Sequence, residues 1–272
     1  MKIDLHIHTK FSDGKLSPEE LLRIAHENHY SYISITDHDT FAGYQQAQKS
    51  IKNYAIELIP GVEISTVLEN TEVHLLAYYF DTDNVELNDL LQKVYDSRYG
   101  RAIEMVQRLN GLGMKLDWND VLNYAGENKY IGRPHIARAM VENGSVKTIR
   151  EAFDKLLHNE SPVYVPKYKV DTDLAIETIR KANGLSVLAH PGRLTDDSII
   201  YSCIEMGLDG IEVYYGSHVA GQTRLYEQIA LENNLIKTGG SDFHGNEFYY
   251  INYSAPDICI HDLKAAIAKI RK

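Results

Sequence analysis

The sequence predicts an α/β fold: a parallel sheet covered by helices and interrupted by a helical insertion. Three observations predict it. Short apolar runs alternate with helical segments over residues 1–83 and 162–272, the order that builds parallel sheets. No convincing strand pattern occurs over 84–161, where helical segments follow one another. His, Asp and Glu recur at the ends of the apolar runs, and the loops after the strands of a parallel barrel gather at one end.

The chain opens on Asp4-Leu5-His6-Ile7-His8, a strand in which His6 and His8 share one face because side chains alternate. Ser17-Pro18-Glu19-Glu20 sets an N-cap serine, a proline at the first helical position and a capping-box glutamate. A helix therefore runs to about Asn28, with Leu21, Leu22 and Ile24 on its buried face. Tyr32 to Thr36 is a short buried strand ending in Asp37-His38-Asp39. Ile56 to Ile64 follows with Glu63 near its end, and Val73 to Phe80 is a neighbouring strand with His74 near its start. The insertion holds helices at Val85 to Asn110, Trp118 to Tyr124, Pro134 to Glu142 and Val146 to Leu157. It exits through Ser161-Pro162-Val163-Tyr164-Val165-Pro166, since paired prolines favour extended backbone.

Alternation then resumes. A helix at Thr172 to Ala182 stops at Asn183-Gly184 and leads into the strand Leu185 to Ala189, which ends at His190-Pro191-Gly192. Another helix, the strand Gly210 to Tyr214, a helix at Gln222 to Glu232 and the strand Leu235 to Thr238 lead into Gly239-Gly240-Ser241-Asp242-Phe243-His244. A helix at His261 to Arg271 ends the pattern. Gly132, Gly239 and Gly240 form no phosphate-binding loop and read as turn residues.

Composition narrows the function. The 272 residues suit one large domain or a large domain carrying a smaller one. Lys and Arg number 28 against 38 Asp and Glu, a formal net charge of −10, so long DNA and anionic membrane are poor partners. Cys203 and Cys259 lie in apolar surroundings without metal-ligand spacing, which suits a reducing cytoplasm. No leader-like segment precedes the first strand, and no apolar run reaches the ~20 residues that span a bilayer. The expected location is cytoplasmic.

The candidate ligands are His6, His8, Asp13, His38, Glu63, His74, His190, Asp242 and His244, which take six of the 12 histidines. Taken singly, His74 or His190 reads as a structural histidine. As a set, so much unpaired polarity at one barrel mouth requires cations. Mixed nitrogen and oxygen ligands suit manganese, iron or zinc better than calcium or magnesium. Asp37, beside His38, is expected either to support a metal-bound histidine from behind or to cap its loop. His26, His29, His158, His218 and His261 fall outside the set, with His218 the one worth testing for a role at the site.

These motifs resemble the PHP (polymerase and histidinol phosphatase) domain family. Asp4-Leu5-His6-Ile7-His8-Thr9 with Ser12-Asp13-Gly14 resembles its first motif, Thr36-Asp37-His38-Asp39 its second, and Gly61-Val62-Glu63 with His74 its third. Ala189-His190-Pro191 and Gly240-Ser241-Asp242-Phe243-His244 complete the set. The resemblance implies a distorted (β/α)7, TIM-like PHP barrel with up to three divalent ions. By that analogy His6, His8, Glu63 and Asp242 hold the first, Glu63, His74 and His190 the second, and Asp13, His38 and His244 the third.

The insertion with Gly132-Arg133-Pro134-His135 is similar to that of small PHP phosphatases acting on nucleoside monophosphates and 3′,5′-bisphosphates, and of relatives of the RNase AM type that shorten RNA from its 5′ end. The resemblance implies a metal-dependent phosphoesterase that removes the 3′-phosphate of a nucleoside 3′,5′-bisphosphate or related mononucleotide. Metal-activated water attacks, no protein nucleophile takes part, and inorganic phosphate is released. The insertion then caps the cleft, and Arg133, His135 and Arg193 grip phosphate. Arg133-Pro134 equally fits a plain helix start with a solvent-facing arginine. Alternatives are 5′-to-3′ exonuclease action on short RNA, histidinol-phosphatase-like activity, or a non-catalytic metal-binding module.

Overall fold

The computed structural model describes residues 1–125, 131–166, 168–245 and 253–270. They form two compact units, Met1–Leu91 with Lys169–Lys272, and Gln92–Tyr168. The larger unit carries the sheet: β1 (Lys2–Ile7), β2 (Tyr30–Ile35), β3 (Glu57–Leu68), β4 (Thr71–Tyr78), β5 (Val170–Asp171), β6 (Leu185–Leu188), β7 (Gly210–Tyr215) and β8 (Ile236–Gly240). Its order is β1-β2-β3-β4-β6-β7-β8, with the two-residue β5 beside β3.

The far edge returns to the first strand. Asp242 N donates to His6 O and His8 N to Phe243 O, both at 2.9 Å, and Ile7 bridges Phe243 in parallel. The sheet is therefore a nearly closed barrel, and β1 meets the segment after β8 at one seam. That seam carries His6, His8, Asp242 and His244.

One strand departs from the all-parallel expectation. β4 runs antiparallel to both β3 and β6. Only Glu69 and Asn70, at φ 49° and 73°, connect it to β3. Two positive-φ residues make a hairpin turn, whereas a parallel neighbour needs a crossover of about a dozen residues.

In chain order the helices are α1 (Pro18–Glu27), α2 (Ala42–Gln48), α3 (Val85–Gly111), α4 (Trp118–Ala125), α5 (Arg133–Glu142), α6 (Ile149–Ala152), α7 (Thr172–Lys181), α8 (Ser198–Glu205), α9 (Ala220–Glu232) and α10 (Ile258–Ile270). The expected capping box starts α1: Glu20 N donates to Ser17 Oγ and Ser17 N to Glu20 Oε2. Sequence reading names no element at α2, whose N-cap Phe41 makes no side-chain cap bond. Under the sheet, Ile3 and Leu5 of β1, Tyr78 of β4, Val187 of β6 and Ile260 and Leu263 of α10 share one apolar core, each side chain contributing roughly 1.5–3 kcal/mol by burial.

The smaller unit has its own core of Met105, Leu109, Val121, Ile136, Met140, Leu157 and Val163. Its limits fall at 92 and 168, against 84 and 161 expected. The reasons are local. α3 is unbroken across the first limit, and the proline-bounded exit packs with the helices: Val163 is buried and Arg108 Nη1 donates to Tyr164 O at 2.7 Å.

Candidate metal centre

Every strand end that carries a candidate ligand opens on Glu63. This carboxylate on β3 is fully buried. Its Oε2 lies 3.3 Å from His6 Nε2, 3.2 Å from His8 Nε2 and 3.1 Å from His38 Nδ1. Its Oε1 lies 2.9 Å from both His74 Nδ1 and His190 Nε2. β1 delivers its two histidines together, with ring centroids 5.2 Å apart. His38 reaches the cluster because the chain after β2 pairs with β3 at Glu63: Asp39 N donates to Glu63 O and Glu63 N to Asp37 O.

Three groups of donor atoms lie close enough to share an ion, each group's atoms within 4.8 Å of one another. They are His6, His8, Glu63 and Asp242; His38, Glu63 and His74; and His8, Asp13, His38 and His244. The first has the membership expected from sequence. In the others His38 also stands beside Glu63 and His74, and His8 beside Asp13. His190 enters through its bond to Glu63 Oε1.

The donor set fits cations. His6 Nε2, His8 Nε2, His38 Nδ1 and Glu63 Oε2 are buried and have no hydrogen-bond partner, although the nitrogens lie within 3.3 Å of that oxygen. A buried polar atom left unpaired costs about 1–3 kcal/mol, and one divalent ion satisfies several at once. Electrostatics agree. Burial lowers the pKa of His8, but the Asp242 and Glu63 carboxylates outweigh it and raise the value to about 10. Burial dominates at His38 and lowers it to about 4. A bound divalent ion would take the place of such protons, because ligands bind deprotonated.

Behind the donors stand groups that aim them. Asp4 accepts from His6 N at 3.2 Å and from Ser241 N and Oγ. Asp37 bonds the loop after β1: Thr9 N, Thr9 Oγ1 and Ser12 Oγ donate to it, each at 2.7 Å. Of the two roles expected for it, the geometry gives loop organisation, and Ser12 Oγ carries the influence on to His8 Nδ1 at 3.5 Å. His218 braces the next turn, receiving Gly192 N on Nε2 at 3.2 Å. Glu212 of β7, named by no sequence argument, bonds His6 Nδ1 at 3.0 Å and His190 N at 2.6 Å. Its only sequence signal is a lone carboxylate inside an apolar run.

Strain is concentrated here. His190, Asp242 and Asp39 hold φ of 28°, 54° and 56°, where a non-glycine residue costs about 1–3 kcal/mol. Gly239 and Gly240 are strand residues of β8 rather than turn residues. A Cβ on Gly240 would stand 2.1 Å from His6 Cβ, so only glycine lets the seam close.

The expected phosphate contacts lie in different places. Arg193 reaches the cluster: Nη2 is 2.8 Å from Asp242 Oδ2 and also bonds Tyr215 Oη, while the side chain stays half exposed. Arg133 and His135 belong to the smaller unit and have partners there. Arg133 Nη1 donates to Leu157 O at 2.7 Å and Asn159 Oδ1 at 2.8 Å, and Gly132 N donates to His135 Nδ1 at 3.0 Å. His135 closes the start of α5, and Arg133 ties that start to the chain at 157–159 rather than facing solvent.

Fold and site together define an α/β barrel whose strand ends present a shared histidine–carboxylate cluster. The chain belongs to the PHP domain family, whose model matches residues 4–162. It is 34% identical over 249 residues to a 5′-3′ exoribonuclease of Haemophilus influenzae, with 89% of this chain and 90% of the relative covered. It is 31% identical over 247 residues to a 3′,5′-nucleoside bisphosphate phosphatase of Chromobacterium violaceum, with 89% and 87% covered. A crystal structure from Bifidobacterium adolescentis, described as a metal-dependent phosphoesterase, matches with a TM-score of 0.82 at 32% identity, over 97% of this chain and 95% of that one.

Proposed function

We propose that this chain is a metal-dependent phosphoesterase that hydrolyses the 3′-phosphate of nucleoside 3′,5′-bisphosphates or related mononucleotides. The observation that carries the reading is Glu63, one buried carboxylate within 3.3 Å of ring nitrogens of His6, His8, His38, His74 and His190. His6, His8, Glu63 and Asp242 hold a first divalent ion, Glu63, His74 and His190 a second, and Asp13, His38 and His244 a third. The ions are manganese, iron or zinc. When bound, such ions polarise phosphoryl oxygens and supply a nucleophilic water near neutral pH.

The chain's own residues bind and orient. Glu63 Oε1 fixes the His74 and His190 rings. Arg193 presents its remaining N–H donors at the exposed rim, where a planar guanidinium matches two phosphate oxygens. Histidines and carboxylates act as ligands, so no covalent phospho-enzyme forms and inorganic phosphate leaves directly. A cytoplasmic location is part of this reading: Cys203 and Cys259 are buried and unbridged, and no described helix is long and apolar enough to cross a membrane.

A second reading, 5′-to-3′ exonuclease action on short RNA, is favoured by the 34% identity to the Haemophilus enzyme and uses the same ligands. The test is a parallel assay of a nucleoside 3′,5′-bisphosphate, histidinol phosphate and a 5′-phosphorylated oligoribonucleotide, each with manganese and after chelation. Chelator-sensitive release of phosphate from the bisphosphate is expected. Turnover of the oligonucleotide alone selects the second reading, and no chelator-sensitive turnover of any substrate rejects both.

A further inference from the structure

Glu212 has no role in the proposed reaction, yet this carboxylate bonds two of the candidate metal ligands from behind. It lies mid-strand on β7 between Ile211 and Val213, and all three are fully buried. A carboxylate placed there must be justified by its partners. Both oxygens have one: Oε1 faces His6 Nδ1 at 3.0 Å, and Oε2 accepts from the backbone N of His190 at 2.6 Å. One side chain thus joins the end of β1 to the turn after β6.

We propose that Glu212 is a positioning residue that sets the His6 tautomer and at the same time holds the His190 turn. This inference rests on the metal-dependent phosphoesterase reading. A carboxylate oxygen accepts and does not donate. The hydrogen between the two groups therefore sits on His6 Nδ1, which leaves the lone pair of Nε2 for a ligand. Nε2 is the atom that faces Glu63 Oε2 at 3.3 Å and Asp242 Oδ1 at 3.4 Å and makes no hydrogen bond of its own. The second oxygen holds His190 at its unfavourable φ of 28°, which keeps His190 Nε2 at 2.9 Å from Glu63 Oε1.

Glu212→Gln isolates the claim because it keeps shape and removes charge and one acceptor. The His190 N–H demands the amide oxygen. The amide NH2 then faces His6 Nδ1 as a donor, and the imidazole hydrogen moves to Nε2, pointing into the cluster. The opposite amide orientation sets two N–H groups against each other at His190. Either way a ligand is lost. Glu212→Asp keeps two acceptors on a shorter stem, so the tautomer survives and affinity is partly recovered.

The experiment uses the full chain as wild type, E212Q and E212D. Thermal melting follows the fold of the metal-free proteins, and equilibrium dialysis with elemental analysis measures zinc and manganese uptake. The inference predicts that E212Q folds and binds its tightest ion about 10–100-fold more weakly, with E212D between it and wild type. A second measurement needs no variant. The long-range proton–nitrogen spectrum of zinc-loaded wild type must show the His6 Nδ1 hydrogen strongly deshielded, as a hydrogen bond to a carboxylate makes it, and this decides the matter if E212Q fails to fold. Wild-type affinity in E212Q, or a His6 Nδ1 hydrogen without that shift, overturns the inference while the phosphoesterase reading stands. A wild-type protein that takes up neither metal overturns both.

Discussion

Asp4 and Ser241, 237 positions apart, are joined by two hydrogen bonds: Ser241 N donates to Asp4 Oδ1 at 2.9 Å and Ser241 Oγ to Asp4 Oδ2 at 2.5 Å. The same carboxylate also accepts from His6 N. One buried group therefore closes the barrel seam and sets the backbone beneath the first histidine. Asp4→Ala strands these donors in a dry site, which costs about 1–3 kcal/mol. Urea unfolding of the metal-free protein should show that loss. An unchanged midpoint would mean that the seam closes without Asp4.

Glu63 belongs to two donor groups and Asp13 to one. Glu63→Gln is therefore expected to remove two bound ions and Asp13→Asn one, read by elemental analysis after manganese loading and desalting. Equal losses in the two variants would show that Glu63 is not shared. Stripping the wild type with a chelator should abolish turnover, and added manganese should restore it.

Arg193 and Arg133 separate by kinetics. Arg193 pairs with Asp242 at the rim of the cluster. Its replacement by alanine removes a charged hydrogen bond worth about 1.5–3 kcal/mol and should raise KM for a bisphosphate roughly tenfold or more with metal content intact. Arg133 is tied to Leu157 O and Asn159 Oδ1, so Arg133→Ala should lower the melting temperature, and its KM tests for any substrate contact. An unchanged KM in Arg133→Ala confines that residue to holding its own helix.

The Cys203 thiol is fully buried, and burial raises its pKa from 9.0 to about 11. The thiolate is the reactive form, so at pH 8 it is scarce as well as inaccessible. Iodoacetamide should leave Cys203 unlabelled in native protein and label it in urea, followed by mass spectrometry. Rapid native labelling would contradict the packing of α8.

The barrel and its donors were legible because both obey short-range rules. Alternation puts His6 and His8 on one side, and His38, Glu63, His190 and Asp242 follow apolar runs whose ends a barrel gathers. What stayed hidden depends on contacts between distant strands. Glu212 looks like a misplaced charge until β1 and β6 stand beside it. Asp37 sits next to His38 in sequence, yet its side chain turns to Thr9 and Ser12. The reversal of β4 stayed hidden because the expected strands stop at Ile64 and start at Val73, whereas the observed ones run to Leu68 and from Thr71, leaving only Glu69-Asn70 between them. The α2 helix has an apolar N-cap, Phe41, and only Thr40 Oγ1, which accepts from Ala42 N, marks its start.

The most direct measurement is the anomalous-difference map of a crystal of this chain loaded with manganese. Peaks are expected about 2.0–2.2 Å from Glu63 carboxylate oxygens, with ring nitrogens of His6 and His8 in the same coordination shell. A fully loaded crystal with no peak at Glu63, or with manganese bound elsewhere on the molecule, would contradict that placement.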